Sequence, residues 1–175
     1  MYTFLSETAL TIHQDYIKKK KLQFSIFESS FPFMKGAKFR DILHMKLSVK
    51  DKREALFLSS QIELHDAYFS SFVDERFVRS MLVEKQYGSE AALLNEIYRI
   101  AMERDFGFIT VSLVGENIEV AFADQLSGPY IPDGLALAID LYEHAYFMDY
   151  GFDKGKYLLS CLPYLDLGRL SHKTD

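Results

Sequence analysis

The chain has no tryptophan and a single cysteine, Cys161, among its 175 residues. One thiol cannot close an internal disulfide, so the core must hold the fold, and a reducing, cytoplasmic setting is expected. Prolines number four, and no apolar run approaches the ~20 residues of a membrane-spanning helix. The start, MYTFLSETAL, lacks the basic stretch and apolar core of a secretory signal. Neither sign of charge dominates: 20 basic against 25 acidic residues leave a net charge of -5. That balance is too mild to make nucleic acid or a membrane surface the expected partner. Hydrophobic residues, in contrast, make up 49% of the chain. This suits one sizeable packed domain, or two small ones sharing an interface.

Helical periodicity comes first along the chain and strand alternation second. Ser6 suits an N-cap, Glu7 sits in the first turn, and Ala9, Leu10, His13 and Ile17 fall on one helical face. FESSFPFMKGAK, from Phe27 to Lys38, predicts a loop, and a second long helix is expected from about Asp51 to Phe72. Ser89 to Glu103 is amphipathic and helical in pattern. Ile109, Val111 and Leu113 then alternate with Thr110 and Ser112, Gly115-Glu116-Asn117 supplies a hairpin turn, and Ile118, Val120 and Phe122 alternate after it. SGPYIPDG predicts a loop, LALAID a third strand, and Asp153 to about Leu167 a helix bent near Pro163. The expected class is α+β: an N-terminal long-helix hairpin, then an α+β half with a three-stranded antiparallel sheet. The boundary is placed near residues 75 to 88, giving a helical hairpin domain over 1–80 and an α+β domain over 81–175.

Several polar residues stand where an apolar pattern should reject them. In LALAIDLYEHAYFMDYG, Asp140, Glu143 and His144 follow an apolar run within about one helical turn. Phe57, Gln61, His65 and Phe69 recur every four residues, so Gln61 and His65 share a face inside an apolar stripe. His13 lies between Leu10 and Ile17, whereas His44 and His172 lack such surroundings. Unpaired burial of such groups costs several kcal/mol. A metal ion, a partner chain or exposure to water would satisfy them. One histidine on an apolar face is ordinarily a hydrogen-bonded core residue. Three of them with Asp140 form a donor set suited to a first-row transition metal, and spacing alone leaves zinc, iron and manganese open.

These residues resemble a known family. Asp140-Leu-Tyr-Glu143-His144-Ala-Tyr146, with Asp149-Tyr150 after it, closely resembles the Asp-x-Trp-Glu-His-Ala-Tyr signature of the iron/manganese superoxide dismutases. Gln61-x-x-x-His65 resembles the second-helix motif of the iron type, and Leu5-Ser6 through Leu10 to His13 resembles the helix that delivers the first histidine. Tyr87-Gly88-Ser89 and Phe106-Gly107 match in order, so the resemblance covers nearly the whole chain. It implies His13, His65, Asp140 and His144 as metal ligands, with a water or hydroxide as a fifth. It also implies Gln61 as the amide that tunes the ion through that solvent, and Glu143 as a bridge to His144 of a second subunit. Placing that glutamine on the second helix is the iron-type habit, so iron is preferred and manganese kept open. Gln125, in the loop where the manganese type carries its amide, is expected to be an exposed loop residue.

The chain departs from the pattern in a concentrated way. A family histidine and tyrosine that follow the first ligand at intervals of four are Ile17 and Lys21 here, and the tyrosine after Glu-His-Ala-Tyr is Phe147. The family's pocket tryptophans are replaced by Tyr142, Thr110, Ser112 and Phe69. A shifted register would put Tyr16 on the gateway tyrosine, but it would put Thr8 at the metal and is not preferred. Lys18 to Lys20 are expected to form a solvated helix face, and Lys21 is assigned to the pocket as a catalytic candidate beside Gln61. The leading expectation is a cytoplasmic, homodimeric enzyme that dismutes superoxide at a mononuclear iron or manganese site, without nucleic acid or membrane as partner. The alternatives are a non-enzymatic binding or assembly module of the same fold, and a structural zinc protein or zinc hydrolase.

Overall fold

The computed structural model describes residues 3–74, 80–124 and 128–171. Helix α1 (Glu7–Ser30) starts where Ser6 Oγ accepts a hydrogen bond from Ala9 N, satisfying one of the amides a helix start leaves open. It buries Ala9, His13 and Ile17, one residue per turn. The loop expected over 27–38 begins later, because α1 continues through Ser30. The Phe27 and Phe31 rings lie tilted against each other at 4.9 Å, and with Phe24 they cover a small cluster of Met34, Ile42 and Ala55. That packing prolongs the helix until Pro32, which disfavours helical geometry at Phe31. A short helix, α2 (Phe39–His44), follows, and then α3 (Val49–Ser70), capped by Ser48 Oγ accepting from Asp51 N. Helices α1 and α3 pack side by side as the expected hairpin.

Two further helices, α4 (Met81–Tyr87) and α5 (Glu90–Met102), lead into strands β1 (Phe108–Val114), β2 (Asn117–Ala123) and β3 (Leu135–Asp140). The sheet has the order β2-β1-β3, antiparallel throughout. The fold is therefore α+β, with the expected three-stranded antiparallel sheet. Helix α6 (Glu143–Tyr150) follows β3 at once, and α7 (Lys154–Cys161) ends in a 3-10 turn over Leu162–Tyr164, so the last helix stops at its proline. Among the described residues no helix is long and apolar enough to cross a membrane. The boundary near 75 to 88 falls partly on residues 75–79, outside the described ones, and the two-domain division stays a proposal. One large apolar cluster takes Ala9 from α1, Leu64 and Tyr68 from α3, Ile97 from α5, Ile109 from β1 and Ile139 from β3.

Two joints fix the halves at the points that matter. Ser71, just past α3, donates from its hydroxyl to Ala67 O and accepts from Ala138 N of β3, at 2.7 and 2.8 Å. At the other end Ser6 N donates to Asp149 Oδ2 of α6 at 2.7 Å. So α1 is tied to α6, and α3 to β3.

Gly134 enters β3 at φ +65, and a Cβ there would lie 1.9 Å from Leu113 O. Leu113 N donates to Gly134 O at 2.8 Å, so neither backbone can retreat without breaking the pairing. Gly134→Ala should cost about 2 kcal/mol or more in urea unfolding, and a variant as stable as the parent would contradict this register.

Candidate metal centre

Four side chains from four elements converge. His13 comes from the buried face of α1, His65 from α3, Asp140 from the end of β3, and His144 from the first turn of α6. Asp140 Oδ2 lies 3.1 Å from His13 Nε2, 3.4 Å from His65 Nε2 and 3.2 Å from His144 Nε2. His65 Nε2 and His144 Nε2 are 3.4 Å apart, and one ligand atom from each residue fits within 4.8 Å of all the others. His13, His65 and Asp140 are fully buried, and the His144 side chain is 27% exposed.

Hydrogen bonding leaves two of the inward atoms, Asp140 Oδ2 and His13 Nε2, bare. His65 Nδ1 donates to Gln61 O at 2.7 Å, so Nδ1 carries the proton and Nε2 offers a lone pair. Asp140 Oδ1 accepts from Tyr142 N at 2.8 Å. Asp140 Oδ2 and both ring nitrogens of His13 have no hydrogen-bond partner although buried. His13 Nε2 is close to Oδ2 but not aligned for a hydrogen bond. A buried carboxylate oxygen without a hydrogen-bond donor is costly. Two ligand atoms about 2.1 Å from one ion lie about 3.0 Å apart at a right angle and about 3.6 Å apart at 120°. The four contacts of 3.1 to 3.4 Å fall in that interval, and this donor set suits a single transition-metal ion.

Electrostatics agree with that use. Burial pushes the Asp140 carboxyl up, but the imidazoles of His144, His13 and His65 outweigh it and hold the group below the usual carboxylate range. Burial pushes His65 down to about 4, against the pull of Asp140. Asp140 is thus ionised and His65 neutral near pH 7, the forms that bind metal.

A model of the iron/manganese superoxide dismutases, C-terminal domain, matches residues 78–172. That is more than half of the chain. The chain belongs to the iron/manganese superoxide dismutases. No curated protein matches it. The match includes Asp140 and His144, while His13, Gln61 and His65 lie on the helical hairpin before it.

Within this superoxide dismutase fold the aromatic surroundings differ from the expectation in one important place. Tyr16 stacks on His144 with ring centroids 4.5 Å apart and lies 5.5 Å from the His65 ring. Its hydroxyl donates to Gln61 Oε1 at 3.5 Å, and Gln61 is buried. Lys21, the catalytic candidate, turns instead to the surface, where Nζ pairs with Asp66 Oδ1 at 2.7 Å and both side chains are about half exposed. The two residues are five positions apart on a helix, so they project to opposite sides of the α1–α3 seam. His13 keeps its place at the cluster, so the register with Thr8 at the metal is not needed to bring Tyr16 in. A readable signal existed: Tyr16 follows His13 by three residues, a same-face spacing.

The remaining candidates are placed as follows. Tyr142 stacks parallel to His144 at 5.7 Å, and Phe69 lies 4.9 Å from the His13 ring, so both stand in the wall. Phe108 and Tyr68 complete it against His65 and His13. Thr110 bonds across the sheet to Ala121 O, and Ser112 is buried in the same strand. Ile17 is buried, whereas Phe147 is exposed and packs on Phe152 at 5.0 Å. Glu143 is exposed in the first turn of α6. Gln125 and His172 lie outside the described residues.

The His65 value sets an acid limit for the metal-free protein. Its folded value of about 4 lies below the ordinary 6.5, so the unfolded chain takes up the proton first. Stability is intact above about pH 6.5 and declines as pH falls toward 4, and Asp140, also depressed, extends the loss to lower pH. Urea unfolding of the metal-free protein should lose about 3 kcal/mol from pH 7 to pH 4 through His65, and His65→Gln should flatten that slope. A stability that does not change over this window would contradict a neutral, buried His65.

Proposed function

We propose that this chain dismutes superoxide at one redox-active ion held by His13, His65, Asp140 and His144, with iron preferred and manganese the alternative. The observation that carries the reading is the unpaired Asp140 Oδ2 facing three imidazole Nε2 atoms at 3.1 to 3.4 Å. When bound, the ion supplies a one-electron cycle that oxidises one superoxide to oxygen and reduces the next to peroxide with two protons. Asp140 contributes a fixed negative charge, and the Gln61 O–His65 Nδ1 bond orients one ligand ring. Gln61 is the proposed tuning amide, and its position one turn before His65 on α3 supports that role.

Tyr16 is the proposed proton-bearing group at the mouth. Burial and the Asp140 charge push its hydroxyl up, so Oη keeps its proton at neutral pH and can release it toward forming peroxide. This assignment replaces Lys21, whose ammonium is held by Asp66. Glu143 is the proposed bridge to His144 across a two-fold homodimer. In its favour, Glu143 is exposed beside the partly exposed His144, and Phe147, Met148 and Phe152 are exposed nearby. The single, buried Cys161 is consistent with a cytoplasmic setting. The second reading, a non-enzymatic binding or assembly module, is favoured by the apolar pair Ile17 and Phe147, which cannot carry protons.

Superoxide decay should be followed directly, with protein loaded separately with iron, manganese and zinc. Iron or manganese protein is expected to outpace the free ion, and zinc protein is not. Fully loaded iron and manganese proteins that do no better than the free ions would leave the module reading in place. His65→Ala and Asp140→Ala should lose the ion, whereas Tyr16→Phe should keep it and slow turnover by about tenfold or more. Sedimentation equilibrium tests the bridge: the parent should be dimeric and Glu143→Ala shifted toward monomer, and a monomeric parent at high concentration would reject the two-fold assembly.

A further inference from the structure

Lysines 18 to 21 look alike in the sequence but are not alike in the structure. Lys18 Nζ pairs with Asp15 and Lys21 Nζ with Asp66, at 2.8 and 2.7 Å. Lys20 does neither. Its Nζ stands 5.3 Å from the centre of the Tyr16 ring and 5.6 Å from that of Phe57, and among the described residues no carboxylate lies within ion-pair distance of it. Glu54 lines the groove between α1 and α3 alongside Lys20 and Phe57 without closing a pair. Lys20 is partly buried, held by two aromatic faces that attract a cation without neutralising it. One of those faces belongs to the ring stacked on His144 whose hydroxyl reaches Gln61.

From this arrangement we infer that Lys20 is the steering residue for small monoanions, superoxide included, as they pass Tyr16 to the His144 side of the centre. The inference rests on the dismutase reading for the identity of its substrate. His144 is the one member of the cluster with solvent exposure, so an anion entering there meets the Tyr16 edge and the uncompensated ammonium together. The chain as a whole carries a net charge of -5 and repels anions. A local positive charge at the one open side therefore acts where it counts. Lys20 also holds the Tyr16 ring against His144, which makes it a positioning residue and not a catalytic one.

The test uses iron-loaded protein in parent form and as Lys20→Gln, Lys20→Arg and Lys20→Glu, with metal content matched. Superoxide decay is measured against ionic strength, and azide binding is titrated by absorbance as a probe that needs no turnover. Lys20→Gln should lower both the second-order rate and azide affinity by about threefold at low salt, and Lys20→Glu by more. Both should flatten or reverse the salt dependence, while Lys20→Arg preserves it. A merely structural role would not move the salt slope or be rescued by arginine. If the parent fails to dismute but azide affinity still falls in Lys20→Gln, the dismutase reading is lost and the steering assignment stands. Parental azide affinity and salt dependence in Lys20→Gln would overturn the steering assignment, whatever the activity.

Discussion

The structure depends on one carboxylate oxygen. Asp140 Oδ2 is fully buried, has no hydrogen bond and faces three imidazole nitrogens. Nothing in an apolar core tolerates that oxygen without a cation. Protonated imidazoles would supply charge, but burial keeps His65 neutral. Its Nε2 therefore has no proton to offer, and the same interior that isolates the carboxylate disarms this neighbour. An ion of charge two or three resolves both problems at once, because it takes the lone pairs of the nitrogens and the charge of the oxygen together. A metal-free molecule would carry an electrostatic liability at its centre.

Long-range joints surround that oxygen. The four clustered side chains come from chain positions 13 to 144, so no local element can set their spacing. Ser71 fastens the end of α3 to β3 through Ala138 N, two residues before Asp140. Leu141 N donates to Gly107 O, closing the sheet just past Asp140. Ser6 N on Asp149 fixes α1 against α6. Each joint is a hydrogen bond from a backbone amide, directional and short, placed within about two turns of a cluster residue. Apolar packing of Ala9, Leu64 and Ile139 supplies most of the stabilisation but little direction. The polar joints contribute the direction.

Much of this was legible without coordinates. The hairpin strands were legible because side-chain alternation and Gly115 agree, and because a two-residue turn leaves one register. The grouping of His13, His65, Asp140 and His144 was legible because each is a polar residue in apolar surroundings, His65 with Gln61 on one stripe, His13 between Leu10 and Ile17, and Asp140 at the end of an apolar run with His144 close after it. The extension of α1 to Ser30 was not legible. Serines, Pro32 and Gly36 speak locally for a loop, and only the packing of Phe24, Phe27 and Phe31 on Met34 and Ile42 overrides them. The small helix α2 was missed for a related reason. Its six residues are too few for periodicity to register, and it is held by Phe39 N donating to Glu63 Oε1 of α3.

Tyr16 shows where position along a chain and position in space part company. Counting in fours from His13 leads to Ile17 and then Lys21, and the hydroxyl expected there is gone. Counting along a real helix, at 100° per residue, puts the third residue after His13 about as near its face as the fourth. Ile17 takes the buried side of that face and Tyr16 the open side, against His144 and Gln61. The Tyr16 hydroxyl thus reaches the Gln61 amide from three residues after His13. The substitution also moves the charge: with a tyrosine at 16, the next residue stacked above it on the helix is Lys20, four positions on, and not Lys21. Lysine 21 is left to pair with Asp66, while Lys20 inherits the ring. Where counting in fours leads to Ile17 and Lys21, the polar edge on α1 is formed by Tyr16 and Lys20, one residue earlier in each case.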